Sequence, residues 1–489
     1  MTQRPRLDLV PQIGMLVAVA YGVGSVIGSG IFRKPALMAS QLGSPSLLML
    51  VWVVAGAMTL FGALSIAEIA GMYPRSGGQY VYFNECYNRL TGYLYGWAVF
   101  VVIQTGSIAS IAYVFSDSIG YFIVFPRLDP SWEAFAIHIP FLGDITPFKA
   151  FGLKLCTIGL VLGLTGVNYL GVKLGGAVQV LFTALKIAAI LAIVILAFAL
   201  GGGRWSHLAA AAPLAGSGGS AFLAFILAMS GAFWSYDGWI NVTYGAGEIR
   251  NAHRNLPRTL FYSALIYIAV YLLANLAYIY VVPVAEMGRR YAEGEASGQS
   301  YLVATDVASR FLGQWGGSLI AIAIAVSTFG TVNGTIMLSA RVYFAMAREG
   351  QFPERVGDVH PRFGTPGVSL LAQGAWTSIL VISGTFDQLT DMLIFVSWIF
   401  YALGALGVII LRRRRPDAVR PYRVWGYPVT PVLFILFATV YVVFTLYGDV
   451  TSYLAGKTPL VNSLFGVVLV AAGIPGYVYW SRRRKRQGG

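Results

Sequence analysis

Twelve apolar runs, each close to the length that crosses a lipid bilayer, recur along the whole chain. A helix needs about 20 mostly apolar residues to span the hydrocarbon core. Hydrophobic residues make up 57% of the sequence and charged residues only 11%. These features predict an all-α polytopic membrane protein with 12 transmembrane helices, forming a single domain over residues 1-489. The runs lie at 12–38, 45–70, 91–124, 149–168, 176–200, 221–248, 257–283, 315–346, 367–385, 388–411, 430–448 and 460–480.

Basic residues are concentrated in the tails and loops that share one side of the predicted membrane with the N terminus. An excess of Lys and Arg is typical of cytoplasmic segments, so both termini are predicted to be cytoplasmic, in a multi-pass protein of the cell membrane. The net charge of +14 does not by itself indicate nucleic acid. We interpret the C-terminal SRRRKR as a contact with anionic membrane lipids and expect no nucleic-acid partner.

Residues that ligate metals are scarce. Two cysteines, Cys86 and Cys156, make neither a disulfide framework nor a cysteine-ligated metal site. The four histidines fall in predicted loops or at span edges, so no intramembrane histidine cluster is expected. Polar residues are dispersed through the spans instead of gathering as acid, base or metal ligands near one membrane face. We therefore predict no metal, no cofactor and no enzymatic activity.

The stretch Tyr21–Phe32, YGVGSVIGSGIF, places four glycines in the first span. Each glycine weakens a helix by about 1 kcal/mol relative to alanine, so a break near Gly28 to Gly30 is predicted. Broken backbone at membrane depth is tolerated only where it faces protein, water or a polar ligand. The break therefore indicates a site for a zwitterion. The alternative is that these glycines only let neighbouring helices pack closely.

A second interruption lies in the sixth span, where Trp234 to Trp239 introduces Ser, Asp and Gly into an apolar run. Interrupted helices at matching positions of two halves are typical of transporters built from inverted repeats around a midplane site. Five spans per half, an odd number, would give the halves opposite orientations. The predicted repeats are 12-200 and 221-411, and the last two helices, in 430-480, lie outside them.

Lys186 lies near the middle of the fifth span. A lysine at the bilayer centre costs about 2.5–3.5 kcal/mol, so its ammonium is expected to find oxygen partners. The alternative is a lysine that snorkels or is merely tolerated. The eighth span offers hydroxyl groups in STFGTVNGT, although such groups can also bond their own helix.

Several motifs together resemble the amino acid–polyamine–organocation (APC) superfamily of transporters, most closely its L-amino acid transporter, light-chain-like branch. The motifs are GSVIGSGIF at 24–32, PRSGGQYVY at 74–82, FWSYDGWINV at 233–242, GEIRNAHRNLPR at 247–258 and the long segment from STFGTVNGT to HPRFGTP at 327–366. The resemblance implies a LeuT-like 5+5 inverted repeat with broken helices 1 and 6. It also implies alternating access and sodium-independent exchange of amino acids.

The resemblance also implies a substrate site. It assigns the substrate carboxylate to backbone N–H groups around Ser29 and Gly30, where a helix dipole also favours negative charge. It assigns the α-ammonium to carbonyls of Val26 and Trp234, with Asp237 nearby and the Trp234 ring as an aromatic gate. The substrate-binding positions carried over are Val26, Ile27, Gly28, Ser29, Gly30, Trp234, Ser235, Tyr236, Asp237 and Gly238.

Lys186 matches a lysine of sodium-independent members, in which the ammonium replaces a sodium ion between the first and eighth helices. The resemblance implies Ser327 and Thr328 as its partners and a coupling or gating role for all three residues. The cysteine that links light chains to a heavy chain is missing from 125–148. No disulfide-linked heavy chain is therefore expected.

Substrate choice depends on Asp237, which stands where many relatives have glycine. A protein donor would leave its carboxylate structural and the substrates neutral, whereas a cationic substrate side chain would make it a selectivity residue. We favour neutral substrates because Ile240 and the surrounding aromatic residues predict an apolar pocket. The alternatives are a proton-coupled amino acid symporter, since a buried lysine can lose its charge, and a transporter of cationic amino acids or polyamines.

Overall fold

The computed structural model describes residues 9–139, 143–209, 218–297, 301–383, 386–456 and 461–487. These residues are mainly helical. A short antiparallel hairpin of β1 (Ile137–Ile139) and β2 (Gly143–Ile145) interrupts the connection after the third predicted span. The predicted all-α class is confirmed. Residues 1–8, which include the basic residues Arg4 and Arg6 of the N-terminal tail, lie outside the described residues.

The helices before residue 210 are α1 (Met15–Val26), α2 (Gly30–Leu42), α3 (Pro45–Met72), α4 (Gln79–Cys86), α5 (Arg89–Ala98), α6 (Gln104–Gly120), α7 (Pro130–Glu133), α8 (Phe151–Tyr169), α9 (Val172–Leu200) and α10 (Ser206–Ala209). The later helices are α11 (Gly218–Tyr236), α12 (Ala252–Val281), α13 (Val284–Ser297), α14 (Val303–Leu312), α15 (Gly316–Arg348), α16 (Gly367–Ser383), α17 (Phe386–Arg414), α18 (Val429–Leu454), α19 (Asn462–Ala471) and α20 (Gly473–Gln487). A π-helical turn, Val99–Ile103, joins α5 to α6.

The helical segments are long and apolar enough for a multi-pass membrane protein. Within the described residues, 10 segments meet the length and hydropathy of a membrane span, and α16 is a shorter apolar helix. The count of 12 spans and the division into the repeats 12-200 and 221-411 stay predictions.

Two segments leave regular helical geometry in the middle of apolar runs. The first lies between α1 and α2, where Ile27 is extended (φ −71°, ψ 94°) and helix resumes at Gly30. The second comes after α11, where Gly238 has φ +93° and a 3-10 helix then covers Asn241–Glu248. The positive φ favours glycine at 238, because a side chain is rarely accommodated in that conformation.

Packing brings these two interruptions together. The long helix α15 packs against α1, α6, α8, α9 and α16, while α11 packs on α2 and α3. Helix α12 contacts α1 and α3, so the chain on both sides of each break is supported by neighbouring helices. Buried apolar residues drawn from between Ile13 and Tyr441 form one hydrophobic core, which surrounds both breaks.

A buried carboxylate anchors the end of α3 to the end of α17 and to the segment that follows it. The Glu68 side chain is 1% exposed and accepts from Nε of Arg412 at 2.8 Å, Nε of Arg420 at 3.2 Å and the backbone N–H of Val424 at 2.8 Å. The Arg412 guanidinium also stacks 3.7 Å from the ring centroid of Tyr427. These bonds fix the 412–424 segment against the transmembrane helices.

Glu68→Gln should destabilise the fold, because it leaves the largely buried Arg420 guanidinium without its carboxylate. Breaking such a pair by removing one partner costs about 3–5 kcal/mol. Thermal denaturation in detergent should show a clearly lower Tm. The control is Glu85→Gln, because Glu85 forms solvent-exposed pairs with Arg75 and Arg415 that are worth at most about 1 kcal/mol. Equal Tm values for the two variants would contradict this anchoring role.

Candidate functional site

Lys186 of α9 holds the end of α1. Its ammonium donates to the carbonyl of Gly24 at 2.9 Å, to the carbonyl of Ile27 at 2.6 Å and to the Thr331 hydroxyl at 2.8 Å. The residue is 1% exposed. An ammonium has three donors, and here each of them meets an oxygen. The positive charge also faces the C-terminal end of α1, where the helix dipole is negative.

The partners from α15 differ in part from those predicted. Ser327 donates to the same broken segment, lying 3.3 Å from the Ile27 carbonyl and 3.2 Å from that of Gly28. The Thr328 hydroxyl bonds its own helix at the Ile324 carbonyl, 2.7 Å away, and not Lys186. Its coupling role stays a prediction. One turn of helix places Thr331, not Thr328, on the face that Ser327 shares. Thr331 is therefore the residue of α15 that contacts the Lys186 ammonium.

The two interruptions touch each other through glycine. A Cβ added to Gly30 would lie 2.4 Å from Oγ of Ser235 and 2.6 Å from its Cα, and one added to Gly238 would lie 2.5 Å from the Ser25 carbonyl oxygen. Only glycine permits this approach. The Tyr271 hydroxyl of α12 lies 3.0 Å from the Val26 carbonyl and 2.9 Å from that of Ser235, so it can donate to either broken helix.

A narrow cavity of about 20 Å³ lies at this junction. That is room for about one water molecule. Its lining contains two buried hydroxyls, those of Ser25 and Ser29, that have no hydrogen-bond partner among the described residues. Buried polar groups are nearly always hydrogen-bonded, so unpartnered ones lining a cavity indicate a place for a polar ligand. The lining residues are Ser25, Val26, Gly28, Ser29, Gly30, Ser107, Ile111, Trp234, Asp237 and Thr331.

Six of the ten predicted substrate residues line this cavity, namely Val26, Gly28, Ser29, Gly30, Trp234 and Asp237. The other four, which pack around the junction without lining the cavity, are Ile27, Ser235, Tyr236 and Gly238. The Ile27 carbonyl faces Lys186, and Ser235 bonds its own helix at the Gly231 carbonyl. The Tyr236 hydroxyl donates to the Trp52 carbonyl at 3.3 Å. Gly238 provides the turn.

The ends of the broken helices offer charge of both signs to the cavity. Helix α2 begins at Gly30, and the first N–H groups of a helix have no acceptor within it. These N–H groups and the positive end of the dipole favour an anion. The carbonyls of Val26, the last residue of α1, and of Gly28 in the break favour a cation. The arrangement is suited to a small zwitterion.

Asp237 has a protein partner. The Tyr401 hydroxyl of α17 donates to its Oδ1 at 2.7 Å. The carboxylate is mostly buried, and the Tyr401 ring also packs against Trp239 with centroids 4.9 Å apart. One oxygen of this carboxylate therefore has a protein donor, as the interpretation with neutral substrates requires.

Sequence reasoning missed the contributions of α6 and of two tyrosines. Ser107 and Ile111 of α6 line the cavity, and Gln104 donates to Asn241 at 2.9 Å. The polar run QTGS at 104–107 was the available signal, and the π-helical turn before it is of a kind frequent at functional sites. Tyr271 and Tyr401 carried no such signal, because aromatic residues are common throughout the spans.

On one side of the molecule, the side that carries Ile13, the route to the cavity is closed. The backbone N–H of Ile13 donates to the Glu248 carbonyl at 2.8 Å, and that of Arg250 donates to the Ile13 carbonyl at 2.9 Å. The Arg341 guanidinium binds the Glu248 carboxylate, with both side chains at most 2% exposed. The Tyr21 hydroxyl donates to the sulfur of Met337. These contacts join α1, the 3-10 helix and α15.

The opposite side contains a vestibule of about 680 Å³. It begins one turn from the cavity, because α2 contributes Gly30 to the cavity and Arg33 to the vestibule, and α6 contributes Ile111 and Val114 in the same way. The Arg33–Asp117 ion pair at its wall is partly exposed, with 3.1 Å between Nη1 and Oδ2. The molecule is thus sealed on the Ile13 side and indented on the other.

A family model described as amino acid permease matches residues 13–472. The serine/threonine exchanger SteT of Bacillus subtilis (strain 168) is 31% identical over 485 residues, covering 98% of both chains. The large neutral amino acids transporter small subunit 2 of Mus musculus is 31% identical over 492 residues, covering 98% of this chain and 83% of that one.

The b(0,+)-type amino acid transporter 1 of Homo sapiens is 28% identical over 480 residues, covering 97% of this chain and 88% of that protein. The matches extend over nearly the whole chain, including both broken segments and α15. They agree with the resemblance found in the motifs. The chain therefore belongs to the amino acid permease family of the APC superfamily, near its L-amino acid transporter branch.

Proposed function

We propose that this permease is a sodium-independent transporter that exchanges L-amino acids across the cell membrane by alternating access, with both termini cytoplasmic. It binds the α-carboxylate at the N–H groups of Ser29 and Gly30 and the α-ammonium at the carbonyls that end α1 and α11. The names of the relatives support amino acids as the substrates, since each is an amino acid exchanger or transporter.

The observation that carries the proposal is the Lys186 ammonium at the end of α1. Unwound backbone carbonyls at a helix end are of the kind that coordinate sodium in transporters. Here the Lys186 ammonium occupies the oxygen cluster formed by the carbonyls of Gly24 and Ile27 and the Thr331 hydroxyl. Because the Lys186 ammonium supplies this positive charge, no sodium ion is needed to stabilise the broken end of α1. The inverted repeats 12-200 and 221-411 would then supply the two orientations that alternating access requires.

The surroundings of the cavity favour amino acid substrates with neutral side chains. Asp237 bonds to Tyr401, so its carboxylate has a protein donor and acts as a structural pin beside the cavity. Ile111 and Trp234 give the cavity an apolar wall.

Since the cavity holds only about 20 Å³, substrate binding must separate its walls. With the termini in the cytoplasm, the sealed Ile13 side is the cytoplasmic side.

Proteoliposomes test the exchange directly. Vesicles preloaded with unlabelled amino acids should take up labelled amino acid several-fold faster than empty vesicles. Sodium and pH gradients, varied independently, should not change that uptake. Concentrative uptake into empty vesicles that requires either gradient would contradict exchange and indicate a symporter.

Lys186→Ala should lower exchange about tenfold or more, because it removes the positive charge at the end of α1 and the side-chain donor of the buried Gly24 carbonyl. A buried acceptor left unsatisfied costs about 1–3 kcal/mol. The variant should still insert and fold, as judged by size-exclusion chromatography. Lys154→Ala is the matched control, since Lys154 is also buried and donates to three carbonyls, of Thr146, Pro147 and Ile382, away from the break. Exchange that is normal in Lys186→Ala, or equally impaired in both variants, would contradict the role.

Asp237→Asn should leave the uptake of neutral amino acids close to the wild-type level, because the Asn carbonyl can still accept from Tyr401. Tyr401→Phe should impair uptake more, since it leaves a buried carboxylate without its donor at a cost of about 1–3 kcal/mol. Competition assays with arginine, lysine, leucine, alanine and serine measure the preference. If arginine and lysine compete far better, and Asp237→Asn abolishes that advantage while sparing neutral uptake, Asp237 selects cationic substrates instead.

A further inference from the structure

A groove at the Ile13 side of the molecule combines basic and aromatic side chains away from the transport site. It has a volume of about 360 Å³ and lies between the start of α12, Leu64 of α3 and residues 421–425. None of the residues that line it is acidic. The larger cavity at 75–89 and 348–354 differs, because Glu85, Glu349 and Glu354 offset its arginines.

Two arginines supply the charge of this groove. Arg254 and Arg258 stand one turn apart at the start of α12, and both are exposed. No salt bridge or side-chain hydrogen bond joins their guanidinium groups to another described residue. Two guanidinium groups on one helical face, without a carboxylate between them, favour a phosphate group as ligand.

A stripe of exposed apolar side chains follows the two arginines along α12. Along α12, Tyr262, Leu265 and Leu273 are 46%, 42% and 42% exposed. Positions 254, 258, 262, 265 and 273 fall within about 100° of arc at 3.6 residues per turn, so the charge and the stripe share one face. A ligand that satisfies both parts has an anionic head and a long apolar tail.

The other wall of the groove is aromatic and leads into a second apolar helix surface. Trp425 is 61% exposed and meets the Phe261 ring edge to face, with centroids 5.2 Å apart. Helix α18 comes next in the chain, with exposed Val429, Leu433 and Leu436 one turn apart along its surface. Tryptophan and tyrosine favour the headgroup level of a membrane, which puts the arginines among the phosphates.

We propose that this groove binds an anionic glycerophospholipid of the leaflet on the Ile13 side. Arg254 and Arg258 bind its phosphate, and the acyl chains lie along the apolar faces of α12 and α18. A net negative lipid is favoured over a zwitterionic one, because the groove offers no carboxylate to a choline or ethanolamine group. The proposal is independent of the substrate and of the transport mechanism.

Native mass spectrometry of the full-length protein in detergent tests it. The probes are dioleoylphosphatidylglycerol, dioleoylphosphatidylcholine, glycerophosphoglycerol and inorganic phosphate. Each basic residue near a membrane contributes about 1 kcal/mol to binding anionic lipid, so Arg254→Gln with Arg258→Gln should weaken phosphatidylglycerol binding about 10- to 30-fold. Arg254→Lys with Arg258→Lys should retain most of the affinity.

The matched control is Arg355→Gln with Arg413→Gln, which removes the same charge from exposed positions outside the groove and should leave the affinity unchanged. Equal binding of phosphatidylcholine by the wild type, or equal loss in the control, would overturn the proposal as non-specific lipid adhesion. Displacement of the lipid by glycerophosphoglycerol or phosphate at equal concentration would overturn it in favour of a soluble anion.

A second measurement needs no arginine variant. Phosphatidylglycerol brominated on its acyl chains should quench the fluorescence of the wild type more than brominated phosphatidylcholine does. Trp425→Phe should remove that excess quenching. An excess that persists in Trp425→Phe would place the anionic lipid elsewhere and contradict the proposal.

Discussion

The interaction between the Lys186 ammonium and the end of α1 is the one on which the centre of the structure depends. A helix that stops in the middle of a membrane leaves carbonyls without donors, and each costs free energy unless a partner is supplied. Lys186 satisfies the Gly24 and Ile27 carbonyls, and Thr331 ties the same point to α15. Burying the lysine and breaking the helix would each be unfavourable alone. Together, the ammonium and the freed carbonyls satisfy each other's hydrogen bonds.

The break in turn requires glycine at the contact with the second interruption. Because Gly30 and Gly238 lack side chains, the start of α2 can lie against Ser235 and the turn after α11 can lie against Ser25. The Tyr271 hydroxyl bridges both helices from α12. The backbone groups at these ends line a cavity in which the Ser25 and Ser29 hydroxyls have no partner among the described residues. The need to satisfy the backbone groups at the two breaks therefore determines both how the chain packs at the centre and which polar groups line the cavity.

Sequence patterns predicted the features that local chemistry determines. Apolar runs predicted the membrane class, and Gly28 to Gly30 and Lys186 predicted where the polar centre lies. They could not predict which hydroxyl of α15 meets the lysine, because the rotation of α15 in the packed bundle determines whether Thr328 or Thr331 faces it. Tyr401 as the donor to Asp237 depends on a contact across 164 residues. The contribution of Ser107 could be inferred only weakly, since a hydroxyl in a helix can bond its own backbone.

We propose that backbone groups at the two breaks bind the charges common to all amino acids. The most direct measurement is competition for uptake into proteoliposomes by a transported amino acid, its methyl ester and its N-acetyl derivative. Only the free amino acid should compete, because the ester lacks the anion for the α2 N–H groups and the acetylated form lacks the cation for the α1 carbonyls. Competition by either derivative equal to that of the parent amino acid would contradict it.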